Sequence, residues 1–232
     1  LKRFENEKSI FYDYIMFEFI KKFINFIIDF LSPEDVKIKR WLKLNPQKAL
    51  YRLPKPRTIA EPNIFALFDY RDDKARTLIR AIKYRANRAV IKRMAGYLYE
   101  EIMEFASDAS LFEGGREIII VPMPISAKRR TERGWSQCEL LCAEIQKLCG
   151  REMSTRFDIL KKIRDTKKQT DLARTERLLN VQNSMKAVGP LPPNSLFIVV
   201  DDVYTTGATF IEARRALKAT GAKKIFGFFL AH

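Results

Sequence analysis

The sequence is poor in the residues that build disulfide frameworks and transition-metal sites. Its 232 residues include three cysteines and one histidine. Cys138, Cys142 and Cys149 fall within one predicted helix at a spacing that matches no zinc-ligand pattern, and the histidine is the terminal His232. We therefore expect no zinc site, and three buried thiols in a reducing compartment.

The chain also lacks a long hydrophobic run that is free of charge. Its most apolar stretch, residues 9–33, carries a polar stripe at helical spacing, formed by Glu18, Lys22, Asn25 and Asp29. A transmembrane span would not tolerate these charges, so the protein is predicted not to be transmembrane. The pattern predicts an amphipathic helix that docks on its own domain or on a partner, and a helix lying on a membrane surface is the alternative. No secretory signal precedes it, and we expect a cytoplasmic protein.

Positive charge is abundant. The formal net charge is +15, from 43 Lys and Arg against 28 Asp and Glu. Such an excess favours polyanionic partners, namely nucleic acid, phosphorylated small molecules or an anionic membrane surface, and a merely basic surface is the alternative. Because 47% of the residues are hydrophobic, the chain can bury a sizeable core.

The first half of the chain is predicted to be mainly helical. Residues 34–63 are basic and punctuated by prolines, which indicates a connector with little regular structure. Residues 64–73 form a predicted short strand and turn, and residues 74–106 form one or two amphipathic helices. The predicted inward positions of these helices are Leu78, Ile82, Ile91 and Leu98.

From residue 116 onward the pattern is typical of an α/β fold. Continuous apolar strands are predicted at residues 117–124, 195–200 and 224–231. Ser136 and Glu139 form a predicted capping box for a helix that Gly150 stops, and a further helix is predicted at residues 209–220. Fully apolar strands that alternate with helices indicate a parallel sheet covered on both faces.

One segment combines two acids with an anion-binding loop. Asp201 and Asp202 follow a buried strand, and the next residues lead into a helix whose free N–H groups suit a phosphate. The segment is neither a Walker loop nor a dinucleotide fingerprint. Since carboxylates would repel a lone phosphate, the ligand should also offer hydroxyls or a hydrated Mg²⁺, as a sugar phosphate does. A simple turn or helix cap is the structural alternative.

The stretch IVVDDVYTTGAT resembles the signature by which type I phosphoribosyltransferases bind phosphoribosyl pyrophosphate (PRPP). The resemblance implies a parallel sheet flanked by helices, with Asp201 and Asp202 on the ribose hydroxyls and in indirect contact with Mg²⁺ through Mg–PRPP. It implies that the 5′-phosphate is bound by the loop residues Tyr204, Thr205, Thr206, Gly207, Ala208 and Thr209. The implied pyrophosphate side comprises Pro122, Met123, Pro124, Ile125, Ser126, Lys83 and Arg133.

Three further blocks resemble the ComF family of competence-associated, phosphoribosyltransferase-like proteins. They are RAIKYRANR, VPMPISAKRRTERGWSQCELL and RDTKKQTDLARTERLLNV. The resemblance implies a phosphoribosyltransferase-like domain at residues 64–232, preceded at residues 1–63 by the amphipathic helix and the basic connector. ComF proteins usually carry a four-cysteine zinc module in that first region. This chain has no cysteine before Cys138, so zinc is not carried over.

Two functions follow as expectations. The first is Mg²⁺-dependent transfer of a phosphoribosyl group from PRPP to an unidentified acceptor, with release of pyrophosphate. The second is a non-catalytic role in DNA uptake, through PRPP sensing or single-stranded DNA binding. The basic residues 161–177 suit a mobile loop over PRPP, a nucleic-acid track or a solvated surface loop. The oligomeric state is open, and a dimer is plausible.

Overall fold

The structure is a computed structural model that describes residues 33–107, 117–151, 153–166, 179–192 and 194–232. The chain divides into two compact units, residues 1–44 and residues 45–232. The amphipathic helix predicted within residues 9–33 lies almost wholly outside the described residues. The separate domains predicted at residues 1–63 and 64–232 stay a prediction.

The predicted connector between residues 34 and 63 contains two helices, so the prediction of little regular structure was wrong. Helix α1 spans Pro33–Leu42 and helix α2 spans Pro46–Tyr51. Both begin at a proline, where the missing N–H is not needed and the fixed φ angle suits a helix. Asn45 caps α2 by accepting a hydrogen bond from the Gln47 N–H at 3.0 Å. The prolines therefore start helices here.

The second unit is built on a five-stranded sheet whose order is β1-β7-β6-β2-β3. Every neighbouring pair in it is parallel. The strands are β1 (Ile64–Phe68), β2 (Ile118–Pro122), β3 (Met153–Thr155), β6 (Leu196–Val203) and β7 (Lys224–Ala231). This sheet, flanked by helices, confirms the predicted α/β class and is consistent with a type I phosphoribosyltransferase-like fold.

Strand β6 continues past the end that the sequence predicts. The predicted strand stops at Val200, whereas the observed strand includes both acids and ends at Val203. Asp201 lies opposite Phe229 of β7, and Val203 lies opposite Ala231. Aspartate is disfavoured in strands, but pairing with a long parallel neighbour overrides that local preference.

Among the later helices of the second unit, the sequence predicted those at residues 73–106, 137–146 and 208–218 but not the short helix after β2. These later helices are α3 (Asp73–Arg85), α4 (Arg88–Ala106), α5 (Ala127–Arg133), α6 (Gln137–Gln146) and α7 (Ala208–Lys218). The predicted inward positions of α3 and α4 are all buried. Helix α6 ends before the predicted stop, so Cys149 lies beyond it and is only half-buried. Ser136 caps α6, but the carboxylate of Glu139 pairs with Arg130 and does not close the capping box.

A small antiparallel sheet packs against α7 and has no counterpart in the sequence prediction. Its strands are β4 (Leu160–Lys162) and β5 (Met185–Ala187). Buried Glu212 of α7 accepts a hydrogen bond from the Met185 N–H at 3.0 Å and also pairs with Arg215, which donates to the Met185 carbonyl. These hydrogen bonds and this ion pair hold the small sheet against α7. Among the described helices, none has the length and apolar character that a membrane crossing requires.

Candidate functional site

The candidate site lies where two neighbouring strands end and the chain leaves them in opposite directions. In the sheet, β2 lies between β3 and β6, while β6 lies between β2 and β7. The chain runs from β2 to β3 on one side and from β6 to β7 on the other, which opens a crevice at the carboxyl ends of β2 and β6. The Met123 N–H donates to the Val200 carbonyl at 2.9 Å, so the loop after β2 begins beside the acid pair.

Asp202 forms an ion pair, but its Oδ2 atom accepts no hydrogen bond. It is 6% exposed, and its Oδ2 atom lies 3.3 Å from Lys83 Nζ of α3. The two atoms are close enough for an ion pair, yet their geometry makes no hydrogen bond, and Oδ2 is buried without a donor. Asp202 raises the pKa of Lys83 although burial opposes that shift. A buried carboxylate oxygen in this state suits a ligand hydroxyl.

Asp201 is held by neutral donors. Its Oδ1 atom accepts hydrogen bonds from the Asp202 N–H at 2.8 Å and from Cys138 Sγ of α6 at 3.2 Å. Burial, and then the charge of Asp202, raise the pKa of Asp201 to about 7. Burial, followed by the charge of Asp201, also raises the pKa of Cys138 well above its ordinary range, so the thiol keeps its proton and donates.

The loop after β6 turns tightly into an uncapped helix. Gly207 has φ +76°, in the left-handed region, and no side chain caps the start of α7. A Cβ atom at this position would lie 2.5 Å from Tyr204 Oη. The Thr206 Oγ1 atom is buried without a hydrogen-bond partner. The N–H groups at a helix start, the helix dipole and the buried Thr206 hydroxyl together suit an anion.

A small cavity of about 20 Å³, partly open to solvent, lies between this loop and the first acid. The predicted site residues among its lining are Asp201, Tyr204, Thr205, Gly207, Ala208 and Thr209. The ring of Tyr204 packs against Phe229 and His232, with centroid distances of 5.0 and 5.5 Å, so this side chain belongs largely to the core. The structure therefore brings the predicted phosphate loop and Asp201 together around one space.

The residues predicted for the pyrophosphate side are more spread out. Pro122 ends β2, Met123 is buried beside β6, and Pro124 and Ile125 are half-buried. Ser126 is buried and caps α5 by accepting from the Arg129 N–H at 3.3 Å. Lys83 contacts Asp202, as described above. Arg133 lies at the other end of α5, where its guanidinium is 5.6 Å from the Tyr84 ring centroid and 3.2 Å from Gln137 Oε1.

Two residues near the acids had no individual role in the sequence prediction. Cys138 is 63 positions from Asp201, and nothing in its spacing signals their contact. Lys162 of β4 was included only in the basic segment; its Nζ lies 3.1 Å from Thr166 Oγ1. Burial, and then Arg129, lower the pKa of Lys162 to about 8, while Asp201 acts in the opposite direction. Residues 167–177 of that segment lie outside the described residues, together with the mobile-loop prediction.

Known proteins with similar sequences carry names that refer to competence and to DNA utilization. The chain is 27% identical over 149 residues to the DNA utilization protein YhgH of Salmonella typhimurium, covering 64% of this chain and 63% of that protein. It is 29% identical over 162 residues to the competence protein ComFC of Bacillus subtilis, covering 67% of this chain and 58% of the relative. It is 30% identical over 108 residues to competence protein F of Haemophilus influenzae, covering 46% of each.

These similarities support the resemblance to the ComF family. The match spans less than two thirds of the length of each of these three relatives. No protein-family model matches the chain.

Proposed function

We propose that the protein binds a ribose 5-phosphate unit, as it occurs in PRPP, at the carboxyl ends of β2 and β6. The observation that carries this proposal is the buried pair Asp201 and Asp202 directly ahead of the left-handed Gly207 and the uncapped start of α7. A helix start of this kind binds phosphate, while buried carboxylates accept hydrogen bonds from hydroxyls. Ribose 5-phosphate offers both groups a few ångströms apart.

The charges near the two acids suit a ligand that presents uncharged hydroxyls to the acids and its phosphate to the loop. Lys83 compensates Asp202, whereas Asp201 accepts its hydrogen bonds from neutral donors, and its pKa is raised to about 7 by burial and by the charge of Asp202. A ligand that presented phosphate to both acids would face repulsion that a single ammonium does not remove. Ribose hydroxyls avoid this cost because they donate to the carboxylates, and the phosphate reaches the loop.

Mg²⁺ fits this arrangement through the ligand. Within the described part of the chain, no group of three or more His, Cys, Asp and Glu side chains is placed to hold a metal ion. Asp201 and Asp202 supply hard oxygen atoms, and Asp202 Oδ2 has no hydrogen-bond donor. These two residues would hold the ion through its water shell while PRPP supplies the remaining oxygens. When bound, Mg²⁺ neutralises charge on the pyrophosphate.

We further propose that the bound phosphoribosyl group is transferred to an acceptor. As the bond between ribose C1 and the pyrophosphate oxygen breaks, positive charge develops on the ribose and negative charge on the leaving group. The acid pair stabilises the first charge. We assign stabilisation of the second charge to Lys83, and we place the leaving group beside the loop at residues 122–126, which begins next to β6. Preorganised charges of this kind are the main source of catalysis for such a step.

A non-catalytic role in DNA handling is the second candidate, and an exposed aromatic residue next to Lys83 favours it. The Tyr84 side chain is 60% exposed and is contacted by the guanidinium of Arg133. An exposed aromatic ring beside an arginine suits stacking with an unpaired base, and the net charge of +15 favours a polyanion. The names of the relatives, which mention competence and DNA utilization, agree with this candidate.

A thermal-shift titration with PRPP and Mg²⁺ tests the binding proposal, and pyrophosphate release tests transfer. We expect PRPP to raise the melting temperature of the wild type, and Asp202→Asn to remove most of that rise. Asp158→Asn is the matched control, since Asp158 is an exposed aspartate paired with Arg156. Binding without pyrophosphate release, across bases and amines as acceptors, would favour a sensor. Absence of any PRPP-dependent shift would overturn the site assignment.

A further inference from the structure

We propose that Cys138 is a positioning residue that orients the Asp201 carboxylate toward the ribose hydroxyls of the ligand. This inference rests on the proposed ribose 5-phosphate site and adds a residue to it from another element. The thiol lies on α6, and Asp201 lies in β6.

The geometry fixes one oxygen of Asp201 and leaves the other for a ligand. Both recorded donors, Cys138 Sγ at 3.2 Å and the Asp202 N–H at 2.8 Å, lie on Oδ1. Asp201 also lines the cavity next to the phosphate loop. With Oδ1 held from two directions, rotation of the carboxylate is restricted. The atom that remains for the ligand is Oδ2.

The thiol is itself held firmly. Cys138 is 1% exposed, so water does not compete for its hydrogen bond. It is the second residue of α6, whose start is fixed by the Ser136 cap and by buried Gln137, which accepts a hydrogen bond from Arg133. A carboxylate that is already oriented loses less conformational freedom when it binds a hydroxyl. Cys138 therefore strengthens recognition of the sugar and has no direct effect on the phosphate loop.

Cys142 provides a matched control for this idea. It is 0% exposed and lies one helical turn from Cys138 on the same helix, but its thiol does not hydrogen-bond to Asp201 or Asp202. Cys138→Ala removes the donor, Cys138→Ser restores a donor, and Cys142→Ala reproduces the packing loss alone. Cys138→Val keeps most of the side-chain volume without a donor, and it serves if the alanine variant folds poorly.

The experiment measures binding of ribose 5-phosphate and of inorganic phosphate to the full chain by calorimetry. We expect Cys138→Ala or Cys138→Val to weaken ribose 5-phosphate binding about three- to tenfold, the effect of one hydrogen bond. Inorganic phosphate binding should change less than about twofold. Cys138→Ser should recover most of the lost affinity, and Cys142→Ala should match the wild type.

Two results would overturn the inference, and they are distinguishable. If the donor-free variants bind ribose 5-phosphate as Cys142→Ala does, Cys138 has only a packing role. The same conclusion follows if affinity for the sugar phosphate and for inorganic phosphate falls equally. If the wild type binds ribose 5-phosphate no more tightly than inorganic phosphate, the ribose site itself is wrong and Cys138 has nothing to position.

Discussion

Two adjacent carboxylates have different environments because successive strand residues point to opposite faces of a sheet. Asp202 is directed toward Lys83 of α3, and Asp201 contacts the Cys138 thiol. Asp202 has a cation at ion-pair distance, whereas both hydrogen bonds to Asp201 Oδ1 come from neutral donors. Burial, and then the charge of Asp202, raise the pKa of Asp201 to about 7, so this carboxyl changes its charge near neutral pH.

We expect Asp201 to make the free protein less stable as the pH rises. Its pKa is about 7 in the folded state, against an ordinary value of 3.8. The unfolded chain therefore releases this proton first, and the free energy of unfolding falls as the pH rises from about 4 to about 7. The change should be on the order of a few kcal/mol. Asp201→Asn should flatten this dependence in denaturant unfolding at about pH 5 and about pH 8.

Asp158→Asn provides the control for this measurement. Its hydrogen bond with Arg156 lowers the pKa of Asp158 to about 2, so Asp158 does not titrate in the same window. This control should keep the wild-type pH dependence. An identical dependence in the wild type and Asp201→Asn would contradict the raised pKa.

We expect substitutions of Lys83 and Asp202 to have strongly non-additive effects on the free energy of unfolding. Lys83→Met leaves a buried carboxylate without its cation, which we expect to cost about 3–5 kcal/mol of stability. Asp202→Asn in the same chain removes the charge and should recover much of that loss. A double-mutant cycle measured by chemical denaturation gives the coupling. Additive losses would mean that the pair contributes no net interaction.

At the scale of elements, the loop into α7 depends on a glycine for two separate reasons. Gly207 has a left-handed φ angle, and its missing Cβ makes room for Tyr204 Oη. Gly189 shares the first property, with φ +81°, but nothing lies within 4 Å of its Cβ position. Alanine substitutions at Gly207 and Gly189 therefore separate the effect of backbone strain from that of a steric conflict with Tyr204.

Gly207→Ala should therefore be worse than Gly189→Ala. Both substitutions incur the left-handed strain, about 1–2 kcal/mol. Only Gly207→Ala should displace Tyr204 and distort the phosphate loop, so only this variant should lose phosphate binding in a calorimetric titration. Equal loss of stability, with phosphate binding intact in both variants, would show that the loop tolerates the displacement.

The elements that could be predicted from the sequence are those with strong periodic or apolar patterns. Strand β7 begins and ends at its predicted residues, and α3 and α4 bury their predicted inward positions. Strands β3, β4 and β5 have three residues each, too few for a periodic pattern. The helices α1 and α2 were missed because proline was interpreted as a breaker and not as a first helical residue.

The candidate site also has one part that could be predicted from the sequence and one part that could not. The acid pair and the loop could be found because they are contiguous in sequence. The contacts of Cys138 and Lys83 with these acids join residues that are distant along the chain, and they depend on how α6 and α3 pack. A single sequence contains no local pattern for such contacts.

At the scale of the whole molecule, the net charge of +15 favours binding of a nucleic acid, and this can be tested separately from PRPP binding. If the Tyr84 surface binds single-stranded DNA, Tyr84→Ala should weaken binding about 5- to 100-fold, the range of one stacked base. Tyr51→Ala is the control, because Tyr51 is 88% exposed and also belongs to the second unit. Fluorescence anisotropy with a labelled oligonucleotide, at about 50 and 200 mM salt, measures both the stacking and the ionic contribution. Equal effects of the two substitutions on DNA binding would show that Tyr84 is not part of a DNA-binding surface.

The central claim is that the acids and the loop together recognise ribose 5-phosphate. The most direct measurement is calorimetry of PRPP and of pyrophosphate, each with Mg²⁺, on the wild type and on the double variant Asp201→Asn, Asp202→Asn. We expect the wild type to bind PRPP at least about tenfold more tightly than pyrophosphate, and the double variant to lose that preference. Equal affinities of the wild type for the two ligands, or an unchanged preference in the double variant, would contradict the claim.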